Sequence, residues 1–189
     1  MFLVTTSRRP SNRVRTFVRD MWATFPGSMR LNRGTASINE LLARLGTSGR
    51  QFLLIVHMRH GNPSEIQIVQ AGVSSATSVQ LEGVVLRREL SRGSLRGYRA
   101  RRVVEISLPH DSPRCTRDLA DMLSRITGLA PVDAPSPRSP TDVSPRDIIV
   151  RLDPLPGMRT LWSHYNAATL DEIGPRIRVV SLRGDLIHD

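Results

Sequence analysis

Val14, Phe17, Val18, Met21, Trp22 and Phe25 recur at intervals of three and four and predict an amphipathic helix. Ser11 is placed to cap it and Pro26-Gly27 to end it, while Arg13, Arg15 and Arg19 lie off the apolar stripe. Before it, residues 2–6 predict a strand that turns through Ser7, Arg8, Arg9 and Pro10. Ser37 and Glu40 form a capping-box pattern ahead of Leu41, Leu42 and Leu45, predicting a second helix that stops at Gly46. Strands are expected at 52–56, 66–69 and 77–86, with a turn over 57–63.

The arginine-dense stretch 87–102 reads as a linker or long hairpin tip. After it, a strand over 103–107, a turn over 109–113 and a helix carrying Cys115, Leu119, Met122, Leu123 and Ile126, closed by Gly128, repeat the opening. A shift of 101 residues lays Ser11 on Ser112, Arg13 on Arg114, Met21 on Met122 and Gly27 on Gly128, the signature of a diverged internal duplication. Residues 131–145, with five prolines, take the place of the capped helix and predict an ordered loop or flexible connector. Strands over 147–152, 160–165 and 176–182 complete a mixed α/β pattern. The expected layout is a single domain, 1–189, with halves 1–86 and 103–189 joined by 87–102.

Charge sharpens this picture. All 27 basic residues are arginine, and the formal net charge is +10. Residues 1–102 hold 17 Arg against five acids, net +12, and residues 103–189 hold ten Arg against twelve acids, net −2. The first half is therefore the one a polyanion would meet. At 189 residues and 39% hydrophobic the chain is long and apolar enough for a folded domain. The pattern shows neither a membrane-spanning run nor a signal-peptide core, so a soluble cytoplasmic protein is expected. The single cysteine excludes an internal disulfide and a cysteine-rich zinc site.

Catalytic patterns are missing from the sequence. It contains no lysine, no GxxxxGK[ST] phosphate loop, no HExxH and no GxSxG. His57 and His60 read as strand-end histidines and Cys115 as a packed core thiol, so neither a metal nor a cofactor is expected. Anion binding fits better. Ser7, Arg8, Arg9 and Ser11 bring hydroxyls and guanidinium groups to a helix N-terminus, where unpaired N–H groups favour phosphate, and Asn32-Arg33-Gly34 offers a second donor cluster. Arg87, Arg88, Arg92, Arg96, Arg99, Arg101 and Arg102 resemble an arginine-rich RNA-binding arm. With 4% aromatic residues, recognition by phosphate and shape is expected rather than by base stacking.

The run Thr5-Thr6-Ser7-Arg8, Pro10-Ser11, Arg13, Phe17, Phe25-Pro26, Arg30, Asn32-Arg33-Gly34 and Glu40-Leu41, followed by the 53–57 strand, resembles the start of the Brix-domain family of ribosome-biogenesis factors. Near the end, Leu170 and then Glu172-Ile173-Gly174-Pro175-Arg176 are similar to that family's closing Gly-Pro-Arg signature. The resemblance implies two similar halves, each like the anticodon-binding domain of class II aminoacyl-tRNA synthetases, in the minimal archaeal form. By the same resemblance Ser7, Arg8, Ser11, Arg13, Asn32, Arg33 and Arg176 fall on signature positions. The expected function is non-catalytic RNA binding in ribosomal RNA processing and subunit assembly, with ribosomal RNA or its precursor and assembly proteins as partners. A protein-interaction scaffold and a transfer-RNA-binding accessory module stand as alternatives.

Overall fold

The computed structural model describes residues 1–90, 97–135 and 142–186. Its elements follow in the order β1 (Phe2–Thr6), α1 (Asn12–Thr24), β2 (Met29–Arg30), α2 (Ile38–Thr47), β3 (Phe52–Arg59), β4 (Asn62–Gln70), β5 (Ser75–Val85), α3 (Arg87–Leu90), β6 (Arg102–Leu108), α4 (Arg114–Thr127), β7 (Pro131–Asp133), β8 (Asp147–Leu155), β9 (Arg159–Asn166) and β10 (Arg176–Leu186). The strands form one ten-stranded mixed sheet in the order β2-β1-β3-β4-β5-β10-β9-β8-β6-β7. Strand β1 is parallel to β2 and β3, and β3-β4-β5 is an antiparallel meander. From the other edge, β6 is parallel to β7 and β8, and β8-β9-β10 is antiparallel. The long antiparallel ladder between β5 and β10, from Val85↔Arg176 to Ser75↔Leu186, joins the two sets.

The apolar run of β1 has a direct cause. Its alternate side chains enter different cores: Phe2 and Val4 pack with α1 on one face, and Leu3 packs with α2 on the other. In β3, Phe52, Leu54 and Val56 face the first core, and Leu53 and Ile55 the second. Strands buried on both faces read as continuous hydrophobic sequence. Helix α4 joins the first core through Leu119, Ala120, Met122, Leu123 and Ile126.

The second half has no counterpart of α2 among the described residues. Where β8 turns that face outward, Arg151 lies buried and donates to the carbonyls of Ala134 (2.6 Å) and Pro135 (3.0 Å) and to the Asp153 carboxylate (2.8 Å). The start of the proline-rich segment thus forms β7 and then covers β8, instead of looping out as a whole.

Several local expectations are revised. Helix α2 continues through Gly46 to Thr47. The turn expected over 57–63 shrinks to His60 and Gly61, because both adopt positive φ (49° and 80°), the backbone of a two-residue hairpin, and pairing runs up to Arg59↔Asn62. The 87–102 stretch is not a simple linker: its first four residues form α3 and Arg102 begins β6. Ser112 does not cap α4; its hydroxyl donates to the Pro109 carbonyl, and Pro113 occupies the cap position without a side-chain bond. Cys115 is half-buried, and Thr116 takes the inward position in its place.

Candidate nucleic-acid interface

Strands β2, β1 and β3 run parallel and bring the segments that follow them to one end of the sheet. Thr6 pairs with Val56, the Ser7 N–H donates to the Val56 carbonyl (2.8 Å), and the Leu31 N–H donates to the Val4 carbonyl (2.9 Å). Residues 7–11, Asn32 to Gly34 and the His60-Gly61 turn therefore gather at this end. Ser11 ties two of them together. Its hydroxyl caps α1 by accepting the Val14 N–H (3.2 Å) and donates to the Gly61 carbonyl (2.6 Å), and its own N–H points to the Met58 sulfur (3.3 Å). That hydroxyl is engaged by the fold. Arg8 and Arg9 are exposed there, whereas Ser7 is half-buried.

The remaining candidates divide by what holds them. Arg33 is buried and its Nε donates to the Ala36 carbonyl (3.0 Å), shaping the approach to α2. Arg13 forms a two-pronged ion pair with Glu89 and donates to the Val84 carbonyl (2.8 Å). Hydrogen bonding from Arg13 holds the Glu89 carboxyl below its ordinary range. Arg102 pairs with Asp147 (2.8 Å) and with the Asp142 carbonyl (2.7 Å), and Arg176 forms a two-pronged pair with Glu172. Arg87 is buried, with its backbone N–H on Asp20 (3.0 Å), its Nε on the Ile173 carbonyl (3.2 Å) and its guanidinium stacked on Tyr98. Burial pushes the Asp20 carboxyl up and the Arg87 guanidinium down, each partly offset by the other's charge.

Arg33 and Arg87 are thus interior groups, against their reading as surface contacts, and Arg13, Arg102 and Arg176 already have carboxylate partners. Arg88 and Arg101 are exposed. Arg92 and Arg96 lie outside the described residues. Arg99 sits at the opposite end of α1, stacked 4.2 Å from the centre of the Trp22 ring and donating to the Ser28 carbonyl (3.0 Å). Arg50 comes close to it only through the sheet, because it precedes β3 while Ser28 precedes β2; no sequence spacing links the two.

The Gly174-Pro175-Arg176 motif closes the interior. Thr24 donates to the Gly174 carbonyl (3.2 Å), and the fully buried His164 donates from Nδ1 to the Pro175 carbonyl (2.7 Å). The motif therefore locks α1, α3 and β9 around it. Among the described residues no group of three His, Cys, Asp or Glu side chains gathers to hold a metal ion. Among them, too, no helix is long and apolar enough to cross a membrane.

Comparison with known proteins places this architecture. A protein of Aeropyrum pernix named a "probable Brix domain-containing ribosomal biogenesis protein" is 40% identical over 100 residues, 50% of this chain and 56% of that one. Its counterpart in Thermococcus kodakarensis is 27% identical over 191 aligned positions, covering 95% of this chain and 89% of its own length. The chain is homologous to archaeal Brix-domain proteins. A crystal structure of a probable ribosomal biogenesis protein from Aeropyrum pernix superposes with a TM-score of 0.74 at 27% identity, covering 94% of both chains. An archaeal Imp4-like protein shares the fold, at a TM-score of 0.59 and 20% identity. The Brix resemblance read from the two terminal motifs agrees with these relatives, as does the mixed α/β sheet with helices. No family model matches the chain. Strong local identity covers about half the length of the Aeropyrum Brix protein, and the 27% match to the Thermococcus one covers nearly all of it.

Proposed function

We propose that this protein is a non-catalytic RNA-binding factor of ribosome biogenesis, acting on ribosomal RNA or its precursor beside assembly proteins. Its relatives carry the name of ribosomal biogenesis proteins. The observation that carries the RNA reading is the exposed arginine pair Arg8 and Arg9 beside Asn32, at the sheet end where α1 begins. No acidic residue stands in the first turn of α1, so the positive end of the helix adds to the charge of the arginines.

The body that displays this edge is read as two similar halves. Read from either edge, the strand order begins with three parallel strands and continues as an antiparallel meander toward the β5–β10 seam. That supports the offset of 101 residues and the likeness of each half to a class II anticodon-binding domain. Arg88 and Arg101 extend the same basic half.

The test is binding of a ribosomal RNA fragment to the wild-type chain and to the Arg8→Ala, Arg9→Ala double variant across a salt series. The double variant should bind more weakly and with a slope of log K against log salt lower by about 0.7 to 0.9 for each phosphate no longer neutralised. A folded double variant with unchanged affinity and slope would remove the assignment. Purification free of nucleic acid with capture of ribosomal proteins would favour the scaffold alternative.

A further inference from the structure

Two groups among the described arginines differ in what holds them. Arg13, Arg102, Arg151, Arg159 and Arg176 face carboxylates. Arg50 and Arg99 are instead oriented by backbone carbonyls. Arg50 donates to Gly27 (3.2 Å) and Ser48 (3.0 Å), and Arg99 donates to Ser28 while lying over Trp22. Carbonyls fix a guanidinium without cancelling its charge. These two, with Arg30 of the sheet-edge strand β2, line a cleft completed by Trp22, Ser28 and Met29, and no acidic residue lines it among the described residues.

The outer face of α1 connects this cleft to Arg8 and Arg9. Arg15 and Arg19, one helical turn apart, are exposed, and Trp22 follows three residues on at the cleft. The helix has one acid, Asp20, and it is buried beneath α3. Arg15 lies near the start of α1, where the helix dipole disfavours cations. That local cost is offset when an anion lies along the face, and departures from local rules concentrate at functional sites.

We infer that the exposed face of α1 and the cleft at its C-terminal end form a continuous track for the phosphodiester backbone of an RNA strand, running from Arg8 and Arg9 past Arg15 and Arg19 to Arg30, Arg50 and Arg99. The inference rests on the RNA-binding reading above and extends it to a second site. The thirteen residues of α1 span about 20 Å, so the track is several phosphates long. Trp22 acts as the platform that flattens Arg99, not as a base-stacking surface, because the guanidinium already covers one face of its ring.

The experiment titrates a short fluorescein-labelled single-stranded RNA against four proteins by anisotropy over a salt series. The proteins are wild type, Arg8→Ala with Arg9→Ala, Arg50→Ala with Arg99→Ala, and Arg30→Glu; Trp22 emission is recorded alongside with Trp162, which is buried, as background. Arg30 is exposed on β2, so its reversal tests the cleft even where removing the carbonyl-bound guanidinium groups loosens the 50/99 variant. The expected result is about tenfold weaker binding for both cleft variants, a slope lower by about 1.4 for the double one, and a Trp22 emission change on saturation of wild type. Wild-type affinity and slope in Arg30→Glu and the 50/99 variant, with the 8/9 variant weakened, would overturn the track and leave the RNA-binding reading standing. Absence of binding by wild type would overturn both. Competition by polyglutamate at equal charge concentration would reassign the track to an acidic protein partner and overturn it.

Discussion

The Asp20 carboxylate of α1 accepts the backbone N–H of Arg87 at 3.0 Å, across 67 residues of sequence. One buried acid therefore fixes the start of α3 and, through Arg87 Nε and the Ile173 carbonyl, the loop that leads into β10. Because burial raises the Asp20 pKa in the folded state, the native protein holds this proton more tightly than the unfolded chain does. Its contribution favours folding at low pH and is lost as pH rises through the carboxylate range. Asp20→Asn keeps an acceptor for the Arg87 N–H and removes the titration. Its urea midpoint should vary less with pH over that range, and a curve parallel to wild type would refute the assignment.

His164 titrates in the opposite sense. Its Nδ1–H donates to the Pro175 carbonyl, and full burial lowers the ring pKa from 6.5 to about 4. Stability is complete above the unfolded value of 6.5 and declines as pH falls toward about 4, since only the unfolded chain takes up the proton. The loss across that window is roughly 3 kcal/mol. His164→Asn, which retains a donor, should lose less stability than wild type between these pH values in denaturant titrations.

Gly174 has a positive φ of 63°, and a Cβ there would stand 2.7 Å from Leu90 Cδ1 and 3.4 Å from the Arg87 backbone. Gly72 shares the left-handed backbone, with φ of 77°, but has open space around it. Gly72→Ala should cost about 1 kcal/mol for backbone conformation alone, and Gly174→Ala about 2 kcal/mol, because the Leu90 side chain must also move aside. Equal costs by thermal or urea unfolding would contradict the close approach.

Arg13 and Arg9 stand near each other in sequence and should fail differently. Arg13→Ala removes the Glu89 pair, about a third exposed on both sides, together with the hydrogen bond to Val84, and should cost about 1 kcal/mol after solvent screening. Arg9 is exposed, and Arg9→Ala should leave the unfolding midpoint near wild type while weakening RNA binding. Urea unfolding and RNA titration of both variants check this, and a loss of stability confined to Arg9→Ala would reverse the roles.

The sheet end that displays Arg8 and Arg9 was legible because its determinants are local: a capping serine, a stripe of period 3.6 and a strand of apolar residues. The same holds for the capping box at Ser37 and Glu40 and for Gly128, whose φ of 80° ends α4. Burial was not legible. A run of seven arginines looks uniformly solvent-seeking in sequence, yet Arg87 is interior because Asp20 and Ile173 meet it from segments far away in the chain. Arg33 is buried as well, its Nε held locally by the Ala36 carbonyl at the entry to α2.

By itself the sequence determined the three long helices and the longer strands, the charge asymmetry between the halves and the Brix resemblance, since propensity, period and composition act within a few residues. Only the tertiary structure decided which arginines are neutralised by carboxylates, which are held by carbonyls with their charge intact, and that Arg30, Arg50 and Arg99 share one cleft. Pairs such as Arg13 with Glu89, Arg102 with Asp147 and Arg99 with Ser28 depend on segments brought together by the fold, and electrostatic compensation acts over a few ångströms of space irrespective of separation along the chain.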